Sequence, residues 1–235
     1  MVCHSMWLNI PKNSTCQNLQ SMIIYPGIMK NNRYFTKFCG ITSVEDGLNA
    51  QSSGCDALGF VFVKKSKRYI SADKCQRIIN KLSPTILTVA LFANNTAEEI
   101  QEVLNKCRIH VLQFHGNEPA EFCRQWHKPY WKAIPMADGV NAITYASNYA
   151  DASAYLIDNY GCNKSGGSGC QLDWSQLPNE LDNKWILAGG LNPENITEAK
   201  QQTTIKCFDV SSGIEKAAGI KCKNKMTEFI KQLND

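Results

Sequence analysis

Thr36-Lys37-Phe38-Cys39-Gly40-Ile41-Thr42 reads as a short strand cut off by a glycine. Phe35, Lys37 and Cys39 alternate onto one face. Helix-start chemistry follows at once: Thr42 or Ser43 stands as the N-cap, with Glu45 and Asp46 in the first turn. The strand therefore delivers Cys39 to the mouth of a strand–glycine–helix turn, beside backbone N–H groups and a helix N-terminus. That setting is expected to lower the thiol pKa and favour a thiolate base or nucleophile. The competing reading is a small buried residue that fills a core.

Outward from this stretch the apolar runs recur with a steady beat. Strand-like segments lie near 35–41, 57–63, 86–92, 109–114, 130–134, 154–158, 185–189 and 206–211. Short, rich in β-branched or aromatic residues and bounded by Gly, Pro or Asn, they have the pattern of strands buried on both faces. Helical patterns fall between them, at 43–53, 71–82, 96–106, 119–127, 139–147, 174–177, 193–201 and 222–233. Ser71 and Thr96 open two of these, the second close to a capping box. Strand and helix alternating eight times within about 200 residues predicts an α/β chain folded as a single (β/α)8 TIM barrel. An open doubly wound sheet is the rival architecture.

Residues 35–235 make up this barrel domain, and residues 1–34 stand apart as a poorly ordered N-terminal extension. That segment holds Lys12, Lys30 and Arg33 and no acidic residue. Its Met22-Ile23-Ile24-Tyr25 cluster is broken by Pro26-Gly27, too short for a signal-peptide core. An organelle transit peptide and an upstream mis-assigned start remain alternatives for it.

Composition narrows the function classes. A hydrophobic share of 43% and a charged share of 20% over 235 residues are those of an ordinary globular protein. The net charge of +4 includes about +3 from the N-terminal segment. Elsewhere no run of Lys/Arg interleaves with aromatics, which speaks against nucleic acid as a partner. No apolar run approaches the roughly 20 residues that span a bilayer, so no membrane is expected. The eleven cysteines contain no C-x-x-C and pair with no histidines at metal-ligand spacing, which argues against a structural zinc site. Their odd number fits reduced thiols in a cytoplasmic compartment.

The predicted barrel turns positions into expectations, because such folds gather functional groups at the C-terminal ends of their strands. Strand one ends in Cys39-Gly40, strand four in Gln113-Phe114-His115-Gly116 and strand six in Asp158. Strand two runs into a basic loop containing Arg68. Three Gly/Ser loops follow later strands: Ser165 to Gly169, Ala188-Gly189-Gly190-Leu191 and Ser211-Ser212-Gly213. Glycines at 166, 167, 169, 189, 190 and 213 let backbone N–H groups close on an anion, and Ser211 and Ser212 add hydroxyls. Phosphate is the anion these loops suit. Cys39 and Asp158 suit proton shuttling, one as base and one as acid. Asp158 could instead make an Asx turn or N-cap, His115 could satisfy a loop carbonyl, and Arg68 could be a solvated charge.

The motifs also occur in an order that resembles a known family. They run Lys37-Phe38-Cys39-Gly40-Ile41-Thr42, Asp56 to Phe62, Ser66 to Ile70, Gln113 to Gly116, Gly166 to Gly169 with Asp173-Trp174, Leu187 to Leu191, and Asp209 to Glu215. Over 35–233 the chain resembles the N-(5'-phosphoribosyl)anthranilate isomerases of tryptophan biosynthesis. The resemblance implies an Amadori rearrangement of a phosphorylated aminosugar that needs no cofactor and no metal. Asp158 would be the general acid at the ribose ring oxygen, and Cys39 the base that takes the C2' proton. Arg68 would contact the anthranilate carboxylate, with Gln113 and His115 also lining the substrate site. Gly167, Gly169, Gly189, Gly190, Ser211, Ser212 and Gly213 would cradle phosphate. Lys67 stands where the family usually has Pro, which leaves the Arg68 loop looser. Two other functions stay open: a related phosphosugar isomerase that relies on two aspartates, and a silent phosphate-binding barrel acting as scaffold or sensor. Whether the chain is a monomer or a homodimer is not legible.

Overall fold

The computed structural model describes residues 33–136, 140–159, 174, 177, 178, 181 and 184–235. Eight parallel strands close into one barrel in chain order: β1 (Phe35–Cys39), β2 (Ala57–Val61), β3 (Leu87–Phe92), β4 (Val111–Phe114), β5 (Tyr130–Pro135), β6 (Ala154–Asp158), β7 (Trp185–Leu187) and β8 (Cys207–Val210). The closing pair runs from Phe35 opposite Cys207 to Phe38 opposite Val210. An open sheet has no such pair, so the doubly wound alternative falls.

Strand alternation sorts the side chains into two cores. Ala57, Val89, Val111, Ala133, Leu156 and Ile186 belong to the group that fills the barrel interior, with Phe35 and Cys207 packed against it. Phe38, Phe60, Phe92, Phe114 and Phe208 point outward against the helices and are wholly buried. Burying each such ring stabilises the fold by about 1.5–3 kcal/mol.

The helices are α1 (Val44–Ser53), α2 (Ala72–Ile79), α3 (Ala97–Lys106), α4 (Ala120–Arg124), α5 (Ala142–Ser147), α6 (Ile196–Gln202) and α7 (Lys223–Asn234). Ser43, not Thr42, caps α1 by accepting from the Asp46 N–H at 3.0 Å. The capping box at Thr96 is complete, with Glu99 answering the Thr96 N–H. Several helices are shorter than expected, α2 and α5 among them, and two show a local reason. The expected 119–127 helix stops at Arg124, and His127 beyond it has φ of 51°. The expected 193–201 helix starts at Ile196, because Asn192 and Asn195 exchange side-chain bonds to each other's backbone N–H at 2.8 and 3.0 Å. Such bonds compete with the helical ladder. The expected 174–177 helix falls largely outside the described residues, as do Gly167, Gly169 and the extension up to residue 32. Among the described residues no helix is long and apolar enough to cross a membrane.

One feature was not foreseen. After β8 a 3-10 turn (Ser212–Ile214) leads into an antiparallel hairpin of β9 (Glu215–Ala217) and β10 (Ile220–Lys221). Gly219 at its tip has φ of 79°, and its carbonyl accepts from Thr42 Oγ1 at 2.7 Å. The hairpin is thereby tied to the loop that follows β1.

A buried ion pair ties the loop after β4. Lys132, on the outer face of β5, meets Glu118 at 3.2 Å with both side chains almost wholly buried. Glu118 also accepts from the Asn94 N–H at 2.7 Å and the Gly116 N–H at 3.0 Å. Removing one member of such a pair leaves an uncompensated buried charge, which typically costs about 3–5 kcal/mol. Glu118→Ala should therefore lower stability by about that amount in urea titration, whereas Glu118→Leu with Lys132→Met should cost clearly less. Equal losses in the two variants would show that the charge is not what Glu118 compensates.

Candidate active site

Inward register places Lys37 and Cys39 of β1, Gln113 of β4, Asp158 of β6 and Asp209 of β8 on the barrel axis, with His115 just beyond β4. Strand alternation alone puts Cys39 above Lys37. Both press on Gly59 of β2, where a Cβ would lie 2.8 Å from Cys39 Sγ and 3.0 Å from Lys37 Nζ. Glycine at 59 thus makes room for the thiol and the ammonium together.

Lys37 is wholly buried, and its Nζ donates to Asp209 Oδ2 at 2.8 Å. Burial alone would lower the Lys37 pKa, but Asp209 and Cys39 outweigh it and raise it, so the ammonium is retained. For Cys39, burial is the largest influence and pushes the pKa up; Lys37 pulls it down, Asp209 pushes it up and Lys221 pulls it down. The thiol pKa is raised. This corrects the expectation of a thiol lowered by the helix N-terminus: the side chain points into the barrel, 5% exposed, where desolvation of the thiolate outweighs any nearby dipole. The stabilising charges are lysines.

Asp158 stands at the rim with Oδ2 at 3.2 Å from His115 Nε2. Gln113 Nε2 lies 3.1 Å from His115 Nδ1. If the amide donates there, His115 keeps its proton on Nε2 and aims it at Asp158. Gln113 itself is wholly buried beneath the histidine, so it orients His115 rather than reaching the rim. Asp158 Oδ1 faces the loop after β7, where a Cβ on Gly189 (φ 83°) would lie 3.1 Å from it. Asp209 links the two ends of the site. Burial raises its carboxyl and Lys37 lowers it, while Asp158 and His115 across the interior act in opposite senses. Because Asp209 also acts on Cys39, the thiol and the two carboxyl groups share one interior.

The loops after β7 and β8 adjoin. Gly189 and Gly190 both have positive φ, and a Cβ on Gly213 would collide with the Leu191 carbonyl and lie 2.7 Å from Asn192 Cβ. Only glycine permits that approach. Ser211 is already engaged: its hydroxyl donates to the Cys39 carbonyl at 3.1 Å, tying β8 to β1. Ser212 begins the 3-10 turn.

Arg68 is not a solvated charge. Its stem lies across Gly40, where a Cβ would be 2.6 Å from Arg68 Cδ. Its Nε and Nη2 donate to the two Glu215 oxygens at 2.7 and 2.8 Å. Lys221 Nζ donates to Glu215 Oε1 at 2.9 Å and to the Ser211 carbonyl at 3.0 Å. A cavity of about 360 Å³ opens beside the hairpin, lined by Thr42, Asp46, Gly219 and Lys221 among others, but not by Cys39 or Asp158.

Sequence reasoning singled out Cys39, Asp158, Arg68, Gln113 and His115, and the structure brings them to one end of one barrel. It missed Lys37, Asp209, Glu215 and Lys221. A signal existed for the first two, since a charge at the inward position of an apolar strand is costly unless paired.

The family model described as N-(5'phosphoribosyl)anthranilate (PRA) isomerase matches residues 36–232. An N-(5'-phosphoribosyl)anthranilate isomerase of Hahella chejuensis is 44% identical over 201 residues, covering 86% of this chain and 94% of that protein. Its counterpart in Nitrosomonas europaea is 42% identical, covering 86% and 95%. Among solved structures, phosphoribosyl anthranilate isomerase from Thermotoga maritima superposes with a TM-score of 0.77 at 37% identity, covering 86% of this chain and 98% of that one. A further structure of the enzyme, in complex with reduced 1-(o-carboxyphenylamino)-1-deoxyribulose 5-phosphate, gives 0.71 at 34% identity with the same coverage. With a closed barrel and a family match that spans residues 36–232, the chain belongs to the N-(5'-phosphoribosyl)anthranilate isomerase family.

Proposed function

We propose that this protein converts N-(5-phospho-β-D-ribosyl)anthranilate to 1-(2-carboxyphenylamino)-1-deoxy-D-ribulose 5-phosphate in tryptophan biosynthesis. The observation that supports the mechanism is the shared interior: Cys39 of β1 and Asp158 of β6 stand at inward positions on either side of β8, whose Asp209 holds Lys37 at 2.8 Å. Asp158, with Oδ2 on His115, gives a proton from Oδ1 to the ribose ring oxygen. The C1'–O bond breaks and the anthranilate nitrogen lone pair forms the C1'=N iminium. Cys39 as thiolate then takes the C2' proton, and the C2'–H electrons move to give a neutral enolamine. Loss of the C2' hydroxyl proton and protonation at C1' yield the ketose. Asp158 ends as carboxylate and Cys39 as thiol, so one proton must pass back before the next turnover.

Lys37 stabilises the thiolate when it forms, since a cation beside a buried sulfur offsets part of its desolvation. The Gly189-Gly190 and Ser212-Gly213 loops hold the phosphate end, with Gly167 and Gly169 expected from the loop after β6. Arg68 meets the anthranilate carboxylate. The test is the loss of phosphoribosylanthranilate fluorescence with purified protein. Turnover is the expected result. Binding of the reduced ketose analogue without any turnover would instead support the silent phosphosugar-binding barrel.

A further inference from the structure

The hairpin after β8 brings two charged side chains to Arg68, Glu215 and Lys221, that the proposed mechanism does not use. Glu215 takes the guanidinium by two parallel N–H bonds, at 2.7 and 2.8 Å. This is the geometry in which a planar fork is held most firmly. Among the described residues Nη1 makes no hydrogen bond, so one edge of the fork is uncommitted. An arginine–carboxylate pair alone is neutral and would offer little to a second carboxylate. Lys221 alters that balance. It lies 2% exposed, and its Nζ reaches Glu215 Oε1 at 2.9 Å. Burial lowers the Lys221 pKa and Glu215 offsets part of that; with the ammonium held between Glu215 Oε1 and the Ser211 carbonyl, the cluster of Arg68, Glu215 and Lys221 carries one net positive charge. It sits beside the base, since Lys221 and Arg68 both interact with Cys39.

We infer that Glu215 is a positioning residue that aims Arg68, and that Lys221 restores the charge by which the site selects a carboxylated aryl amine over an uncarboxylated one. The inference rests on the reading of Arg68 as the carboxylate partner. Glu215 does not touch substrate. Its bidentate hold freezes the Arg68 side chain before binding, which removes the ordering cost that a free arginine would meet on association. The β9–β10 hairpin sets Glu215, its first residue, opposite Lys221, its last, in a short antiparallel ribbon tied through Thr42 to the loop after β1.

The experiment titrates reduced 1-(o-carboxyphenylamino)-1-deoxyribulose 5-phosphate and its phenylamino counterpart, which lacks the carboxyl group, into wild type and Glu215→Gln by calorimetry. Wild type is expected to prefer the carboxylated ligand by about 10-fold or more, the scale of a hydrogen bond to a charged group. In Glu215→Gln that preference should shrink towards unity while affinity for the phenylamino ligand stays near wild type. KM should rise with kcat little changed. Lys221→Met, which leaves the pair neutral, should lower the same ratio. Glu215→Asp keeps the charge but cannot span both nitrogens, so an intermediate ratio is expected. It carries the test if thermal melts show Glu215→Gln unfolded.

No preference in wild type would remove the Arg68 reading itself. A normal preference in wild type that persists in the Glu215 variants would overturn the positioning role alone. Equal loss of both ligands in folded variants would also overturn it, since a general structural defect does not distinguish them.

Discussion

Asp158→Asn is expected to lower kcat by about 10²–10⁴-fold, the usual contribution of a positioned general acid. The amide matches the carboxyl in shape, so Gly189 and His115 keep their contacts, but it holds no proton to give the ring oxygen. Binding should therefore survive, with KM close to wild type, because the lost interaction exists only in the transition state. Fluorescence decay under saturating and sub-saturating substrate separates the two constants. A kcat within about threefold of wild type would exclude Asp158 from proton transfer, because a general acid is worth far more. His115 bears on the same step. It holds Oδ2 at 3.2 Å, so its loss should act on kcat through Asp158 while leaving the glycine loops after β7 and β8 untouched.

The second large effect belongs to Cys39. Cys39→Ala should cost about 10²–10⁴-fold in kcat, since no base remains for the C2' proton. The pH profile adds a sharper test. The active form of the base is the thiolate, which is populated above its pKa. Burial raises that pKa and Lys37 and Lys221 pull it partly back, so kcat/KM should climb with pH into the alkaline range. Lys37→Met removes a cation from beside the sulfur, which raises the thiol pKa further. The alkaline limb should therefore move to higher pH, and activity at neutral pH should fall. An unmoved limb in folded Lys37→Met protein would mean that Cys39 does not set it. A limb moved to lower pH would contradict the electrostatics outright.

The resemblance over 35–233 and the residues at the strand ends supplied most of the candidate site residues that the barrel gathers at one end. Cys39, Asp158, His115 and Arg68 were legible because a parallel barrel brings every strand's C-terminal end to one rim. Any chemistry-bearing residue there is then a candidate. The glycines of the loops after β7 and β8 were legible for a simpler reason: Gly189 adopts a conformation that other residues resist, and Gly213 leaves no space for a side chain. What was misread is instructive. Cys39 was expected to lose its proton more readily because it adjoins a helix start, yet alternation turns its side chain into the barrel. Whether a neighbour in sequence is a neighbour in space depends on the direction of the side chain.

By itself the sequence determined the architecture, since eight short apolar strands separated by capped helices bury their faces most completely by closing on themselves. It also determined which residues reach the rim, because strand period and chain order are local properties. Only the tertiary structure decided who stands beside whom. Lys37 meets Asp209 across 172 positions, and Arg68 meets Glu215 across 147. Those pairs set the charge around the thiol and around the arginine. Electrostatic interactions depend on distance and desolvation through space, and neither is encoded in the spacing of residues along the chain.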